Sequence, residues 1–297
     1  MKKSLLVLFA TCLFISTGIQ AGAQTGGKTP PPKILSIFRE DVKASRGSAH
    51  EKLEAGYVRA LQKANWPTHS LGMVSTSGAG DAWFMTGYDS LEAMETDRRN
   101  MDKNAALMSE FNRLDEADAE FRTSQRSMVA AFRPDMSFNP EVDLPQMHYF
   151  EVITVRVRPG HDQEFAEGTK LLRAAYEKAN MPNHYAIYQV VTGTLSGTYL
   201  IFIPMKSLKE FDTAMDPKNQ MAMMSAMGEE NSKKFQKIVS DAVINTENSI
   251  YAFSPEMSYV PKEWEAANPN FWATKGMVAM KPAAKKNTSK TTAKKQP

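Results

Sequence analysis

The sequence predicts an α+β fold made of two tandem copies of one βαββαβ unit, packed against each other within a single chain. Three observations carry this. Lys63-Ala64-Asn65-Trp66-Pro67-Thr68-His69 returns as Lys178-Ala179-Asn180-Met181-Pro182-Asn183-His184, 115 residues later. Ala131-Phe132-Arg133-Pro134-Asp135-Met136-Ser137 returns as Ala252-Phe253-Ser254-Pro255-Glu256-Met257-Ser258, 121 residues later. Between these anchors the apolar residues of both halves run through the same succession of periods. Two copies of this length are fused domains rather than a solenoid.

In the first copy, Ile34 to Phe38 is a β-rich run. Gly47 and Ser48 open a helix whose apolar positions Leu53, Tyr57, Ala60, Leu61 and Ala64 share one face at 3.6-residue spacing. Asn65 suits the left-handed residue that ends a helix, and Pro67 prevents its continuation. Ser70 to Thr76 and Ala82 to Tyr88 are two strands around Ser77-Gly78-Ala79-Gly80-Asp81, a hairpin signal. Ser90 caps a second helix, with a break near Asn100, and Met128 to Phe132 is the fourth strand. The second copy repeats the order. Tyr149 to Val157 is a strand ended by Pro159-Gly160, and Leu172, Ala175, Tyr176 and Ala179 repeat the first helix's stripe. Tyr185 to Val191 and Thr198 to Ile203 flank a Gly-rich turn, Ser207 starts the second helix, and Ser249 to Phe253 closes the sheet.

Two helices on one face of a four-stranded antiparallel sheet is the ferredoxin-like arrangement. The opposite face is apolar as well, through residues such as Trp83, Met85, Tyr199 and Ile201. Each sheet therefore needs a partner, and the tandem copy supplies it, sheet to sheet, as an intrachain α+β barrel.

Over residues 33–258 this element order, with the Pro159-Gly160 opening of the second copy's helix, resembles the dimeric α+β-barrel superfamily. That superfamily includes antibiotic-biosynthesis-monooxygenase-like and NIPSNAP-like proteins. The resemblance implies two ferredoxin-like units packed sheet to sheet, with a ligand cavity between sheet and helices. It also brings haem forward as the alternative to a cofactor-free protein. Haem-degrading oxygenases of the superfamily use an Asn, a Trp and a His. This chain departs from that pattern, since its opening strands lack Asn and its second helices lack His. Chlorite-dismutase-like members use a His iron ligand, for which His184 is the available residue.

The chain ends read differently from the repeats. Residues 1–23 carry Lys2 and Lys3, an apolar run from Leu5 to Ile15, and Ala21-Gly22-Ala23. This is a signal peptide cleaved near Ala23, which sends the mature protein to a periplasm or the medium. The apolar run is too short for a membrane span. Cys12, the single cysteine, leaves with it, so no disulfide or thiolate chemistry is expected. Residues 24–32 read as a polyproline linker, 139–146 as the inter-repeat linker, 259–280 as an aromatic extension, and 281–297 as a disordered basic tail. The leader and tail carry eight lysines, which leaves residues 24–280 with a net charge of −5. That argues against a nucleic-acid partner.

His69 and His184 are the candidate functional residues, because both copies place a histidine just ahead of the second strand. By strand alternation Met73 shares the His69 face and Tyr188 the His184 face. With Trp83 or Tyr199, these residues are expected to line a pocket for a small-molecule ligand. The competing reading is a duplicated helix stop. His50 falls on a helix stripe and reads as a packed residue. Met221, Met223, Met224 and Met227 read as gap-filling core residues rather than soft metal ligands. No HxH, HExxH or close Asp/His spacing is present, so no metal is expected. The function expected is an exported small-molecule-binding protein, monomeric through its internal pseudo-dimer, with higher oligomers open. The alternatives are a cofactor-free monooxygenase-like or haem-dependent enzyme using the same cavity, and a structural envelope protein using the Trp264 to Trp272 segment.

Overall fold

A computed structural model describes residues 27–273. The expected signal peptide, the start of the expected 24–32 linker, the end of the 259–280 extension and the expected basic tail lie outside the described residues. The first unit is β1 (Ile34–Val42), α1 (Gly47–Ala64), β2 (Ser70–Ser75), β3 (Asp81–Tyr88), α2 (Leu91–Lys103), α3 (Ala105–Asp118) and β4 (Arg122–Phe132). The second is β5 (Tyr149–Val157), α4 (Asp162–Lys178), β6 (Ala186–Thr192), β7 (Thr198–Met205), α5 (Lys209–Met215), α6 (Pro217–Met227), α7 (Glu229–Ala242) and β8 (Val243–Phe253). Two short helices, α8 (Lys262–Ala267) and α9 (Pro269–Trp272), follow. No described helix is long and apolar enough to cross a membrane.

Local chemistry accounts for the punctuation. Asn65 closes α1 in the left-handed conformation (φ 47°), and Asn180 repeats this after α4 (φ 50°). Trp66 N–H donates to Leu61 O and Met181 N–H to Tyr176 O, both at 3.0 Å, so the duplicated motif closes both helices alike. The break in the first unit's second helix falls at Asn104, four residues after the expected point, because the Asn104 side chain accepts from Leu107 N–H at 3.1 Å and starts α3. The corresponding segment of the second unit is three helices rather than one. Asp216 caps α6 with Pro217 behind it, and Gly228 (φ 79°) separates α6 from α7.

The eight strands form a closed antiparallel barrel in the order β1-β3-β2-β8-β5-β7-β6-β4. Within each unit the first strand pairs over eight or nine residues on both of its sides, whereas the seams between units are short. Three residue pairs join β2 to β8, from Met73↔Phe253 to Ser75↔Tyr251, and four join β4 to β6. The units thus share hydrogen-bonded edges as well as a core, and no sheet edge is left open. The interior is filled by Ile37, Met73, Trp83, Met128, Val152, Leu200, Tyr251 and Phe253, among others.

The second duplicated motif fastens these seams. Ser137 Oγ donates to Arg133 O (2.7 Å) and accepts from Ile187 N–H of β6 (2.9 Å). Ser258 Oγ donates to Ser254 O (2.6 Å) and accepts from Gly72 N–H of β2 (2.9 Å). Each unit's last strand is therefore followed by a clasp onto the other unit's second strand, and Met136 and Met257 are buried beneath the two clasps.

Candidate functional site

One end of the barrel is formed by the starts of β1, β2, β5 and β6. Three irregular segments fold over it. Thr29 pairs with Val142, its N–H donating to Val142 O at 2.9 Å. Tyr188 Oη donates to Pro32 O at 2.9 Å, and Ser70 N–H donates to Tyr259 O at 2.8 Å. Proline fixes φ, so Pro30-Pro31-Pro32, Pro140 and Pro261 make this cover stiff. Beneath it lies a cavity of about 270 Å³ with Leu35, Leu71, Met85, Phe150, Tyr188 and Phe202 as its floor. His69, Tyr259, Val260 and Trp264 form its wall, and no Asp, Glu, Lys or Arg is among its lining residues.

His69 stacks on Tyr259 with ring centroids 4.8 Å apart. Burial lowers its pKa below the ordinary histidine value, and the negative charge of Glu263 only partly opposes this. The imidazole is therefore neutral at neutral pH, with a lone pair available in an apolar setting.

The other sequence-predicted residues separate. Tyr188 lines the cavity with His69. Met73 and Trp83 share its side of the sheet but lie deeper, in the packed interior, where Trp83 Nε1 donates to Asp81 Oδ2 at 2.7 Å. Arg39 pairs with the same carboxylate at 2.6 Å and lies 5.2 Å from the Trp83 ring. Tyr199 is on the opposite face, beneath α4, where it donates to Asp162 Oδ1 at 2.8 Å. Tyr199, Leu200, Ile201 and Phe202 are apolar on both faces, so alternation alone does not say which pair faces the interior; it is Leu200 and Phe202.

His184 does not join its counterpart, for its Nδ1 lies 2.8 Å from Asn139 O. The difference arises after each clasp. Tyr259, which stacks on His69, occupies the place of Phe138, and behind Phe138 the chain turns through Asn139 (φ 42°) toward His184. His148 stacks on Phe271, and His161 lies beside Glu164 at the start of α4. His50 is buried as expected, but its partner is Glu40 rather than an apolar neighbour.

The sequence reading missed the cover. Residues 24–32 and 259–280 were expected to be a linker and an extension, yet Pro30 to Pro32 and Tyr259 to Trp264 wall the cavity. In the C-terminal segment the signal was the aromatic content of Tyr259, Trp264, Phe271 and Trp272; residues 24–32 offered only their three prolines. The aromatic segment is likewise not a free surface: Trp272 is buried against Phe253 and donates from Nε1 to Pro145 O at 2.8 Å. Two methionines of α6 depart from expectation, since Met221 (64% exposed) and Met224 (39%) face outward, whereas Met227 is buried as expected.

No family model matches the chain, nor does the sequence of any curated protein. An anthrone oxidase-like protein of solved structure is 15% identical over 75% of this chain and 92% of its own, with a TM-score of 0.50. The chain has the dimeric α+β-barrel fold. Both halves of this barrel come from one chain. A candidate monooxygenase from Fusobacterium nucleatum is 12% identical over 76% of the chain and 94% of its own (TM-score 0.48). A chlorite dismutase variant from Candidatus Nitrospira defluvii, complexed with cyanide, is 12% identical over 80% of the chain and 95% of its own (TM-score 0.43).

The barrel's cavity does not fit haem. His184, the residue expected as an iron ligand, is outside it. The lining offers no Lys or Arg to meet the two haem carboxylates, whose burial unpaired is costly.

Proposed function

We propose that the chain is an exported protein whose barrel-mouth cavity takes up a small, neutral, largely apolar organic molecule, with His69 as the base at its wall. One observation carries the reading: a partly open apolar cavity without charged lining residues has a neutral imidazole in its wall. At about 270 Å³ it suits a compact ligand, at the small end of known pockets. Trp264 in the wall supplies a fluorescence signal, with anthrone and 1-naphthol as probes. Ala186→Phe, which fills the cavity from β6, is expected to abolish probe binding. His69→Ala is expected to weaken it roughly tenfold, the worth of one hydrogen bond. Undiminished binding by a folded Ala186→Phe protein would sink the proposal.

The neutral base also favours an enzymatic reading without a cofactor. His69 removes a proton from an activated CH₂ group of the ligand, and the resulting anion reacts with O₂. The methylene becomes a carbonyl, and the second oxygen atom leaves as water with both hydrogens. Oxygen uptake with anthrone, lost in His69→Ala, is the expected result. Binding without uptake would leave a binding protein. The purified protein is expected to be colourless.

A further inference from the structure

Outside the barrel, between β1, α1 and α3, four potential metal ligands lie within 4.8 Å of one another: Glu40, His50, Glu54 and Asp118. All four are buried. His50 Nε2 is 2.8 Å from Glu40 Oε2 and 3.7 Å from Asp118 Oδ1. Arg122 Nη1 holds the outer oxygens, Glu40 Oε1 at 2.7 Å and Asp118 Oδ2 at 3.0 Å, and at 11% exposure its side chain separates the cluster from solvent. Asp118 Oδ1 is buried with no hydrogen-bond partner, and it faces His50. Glu54 makes no ion pair among the described residues. Three buried carboxylates there face one guanidinium and one imidazole. The cluster is short of positive charge.

The second unit shows that the fold does not need this arrangement. By the repeat offset, Glu40, His50 and Glu54 correspond to Val155, Phe165 and Thr169. Arg122 and Val243 each begin the last strand of their unit; Ala242 O accepts from Arg158 N–H as Phe121 O does from Lys43 N–H, so the helix end at Asp118 has no counterpart in register. The counterparts of Glu40, His50, Glu54 and Arg122 are thus Val155, Phe165, Thr169 and Val243, and Val155, Phe165 and Val243 belong to one apolar cluster. Thr169 satisfies its hydroxyl on Ala166 O of its own helix. Replacing a buried ionic cluster with well-packed apolar residues is commonly neutral or stabilising, so stability alone does not explain why the first unit keeps the charges.

We propose that Glu40, His50, Glu54 and Asp118 form a binding site for one divalent transition-metal ion of the Mn²⁺ to Zn²⁺ range. One imidazole nitrogen with three carboxylates is a borderline-to-hard donor set suited to these ions. Ligands at their usual bond lengths around one such ion sit roughly 3.0–3.4 Å apart, which the two His50 distances bracket. Three carboxylates are balanced by Arg122 and a divalent cation, with His50 neutral. The ion supplies the partner that Asp118 Oδ1 and Glu54 lack, and it ties α1 and α3 to β1. This site is separate from the cavity and independent of the function proposed for it.

The test uses the full mature chain, stripped with EDTA and dialysed against Zn²⁺ or Mn²⁺, with bound metal measured by elemental analysis. One ion per chain is expected, together with a rise in Tm on loading. Co²⁺ is expected to give visible absorption bands of a mixed oxygen and nitrogen ligand set. Glu54→Gln keeps the shape and is expected to weaken Zn²⁺ binding on the order of a hundredfold or more. A second variant carries the second unit's residues at four positions (Glu40→Val, His50→Phe, Glu54→Thr, Arg122→Val) together with Asp118→Ala. It is expected to fold, by circular dichroism, and to bind no ion. No stoichiometric ion in the unaltered chain overturns the proposal. So does equal binding by whichever of the two variants folds.

Discussion

His69 ionises against the cavity around it, and this gives stability a pH dependence of fixed sign. Its folded pKa lies below the unfolded value of 6.5, so between the two the unfolded chain binds more protons. The contribution is complete above 6.5 and is lost as pH falls from there toward the folded value. Denaturation midpoints between pH 7.5 and 5 are expected to fall less in His69→Gln than in the unaltered chain; equal slopes would show that the imidazole does not feel the cavity. A glycine sets a second limit at this scale. A Cβ on Gly72 would lie 2.5 Å from Met257 O and 2.8 Å from Met257 Cβ, where the clasp backbone approaches β2. Gly72→Ala is expected to cost about 1–3 kcal/mol, read from urea midpoints, because backbone rather than a flexible side chain must move. The pairing of His69 with His184 was visible in the sequence, but their different surroundings were not. That difference is decided by Tyr259 and Asn139, which become neighbours only when the strands close.

Among the elements, the clasps are the clearest case of a repeated motif with a mechanical purpose. Removing either Ser137 or Ser258 leaves a buried strand N–H, of Ile187 or Gly72, without its acceptor. Ser137→Ala and Ser258→Ala are each expected to cost about 1–3 kcal/mol in urea denaturation, the penalty for an unsatisfied buried donor. The outward methionines of α6 behave in the opposite way. Met221→Gln and Met224→Gln are expected to change stability by less than about 0.5 kcal/mol. Element type and order were legible because strand and helix periods differ and because Asn65 and Asn180 mark helix ends. The breaks at Asn104, Asp216 and Gly228 were read less well, since each depends on a cap or a positive φ inside a continuous helical pattern. The faces of β7 were illegible for another reason: Tyr199 to Phe202 is apolar on both sides, and only the side chains packed against each face, Asp162 for Tyr199 and Phe150 for Phe202, distinguish them.

At the scale of the whole molecule, the duplication together with the apolar second face of each sheet predicted the two-unit barrel, whereas the cover over its mouth depends on three segments far apart in sequence. Thr29, Val142 and Val260 come together only through the closed sheet. The buried charge cluster was illegible for the same reason, since Glu40 and Asp118 lie on separate elements and meet only when α1 and α3 pack on β1. Closure also governs how the chain assembles. The interior faces of β1 to β4 carry Leu35, Ile37, Leu71, Met73, Trp83, Met85 and Met128, and the second unit covers them. Residues 33–138 alone would expose that face and the edges of β2 and β4, which are a template for pairing with another chain. Expressed by itself, this half is expected to run in light-scattering chromatography as a dimer or larger, or to precipitate. Co-expression with residues 139–273 is expected to restore a one-to-one complex, and the intact chain is expected to run as a monomer. A stable monomeric half, folded by circular dichroism and no less resistant to urea than the whole chain, would mean that the shared core contributes little to holding the units together.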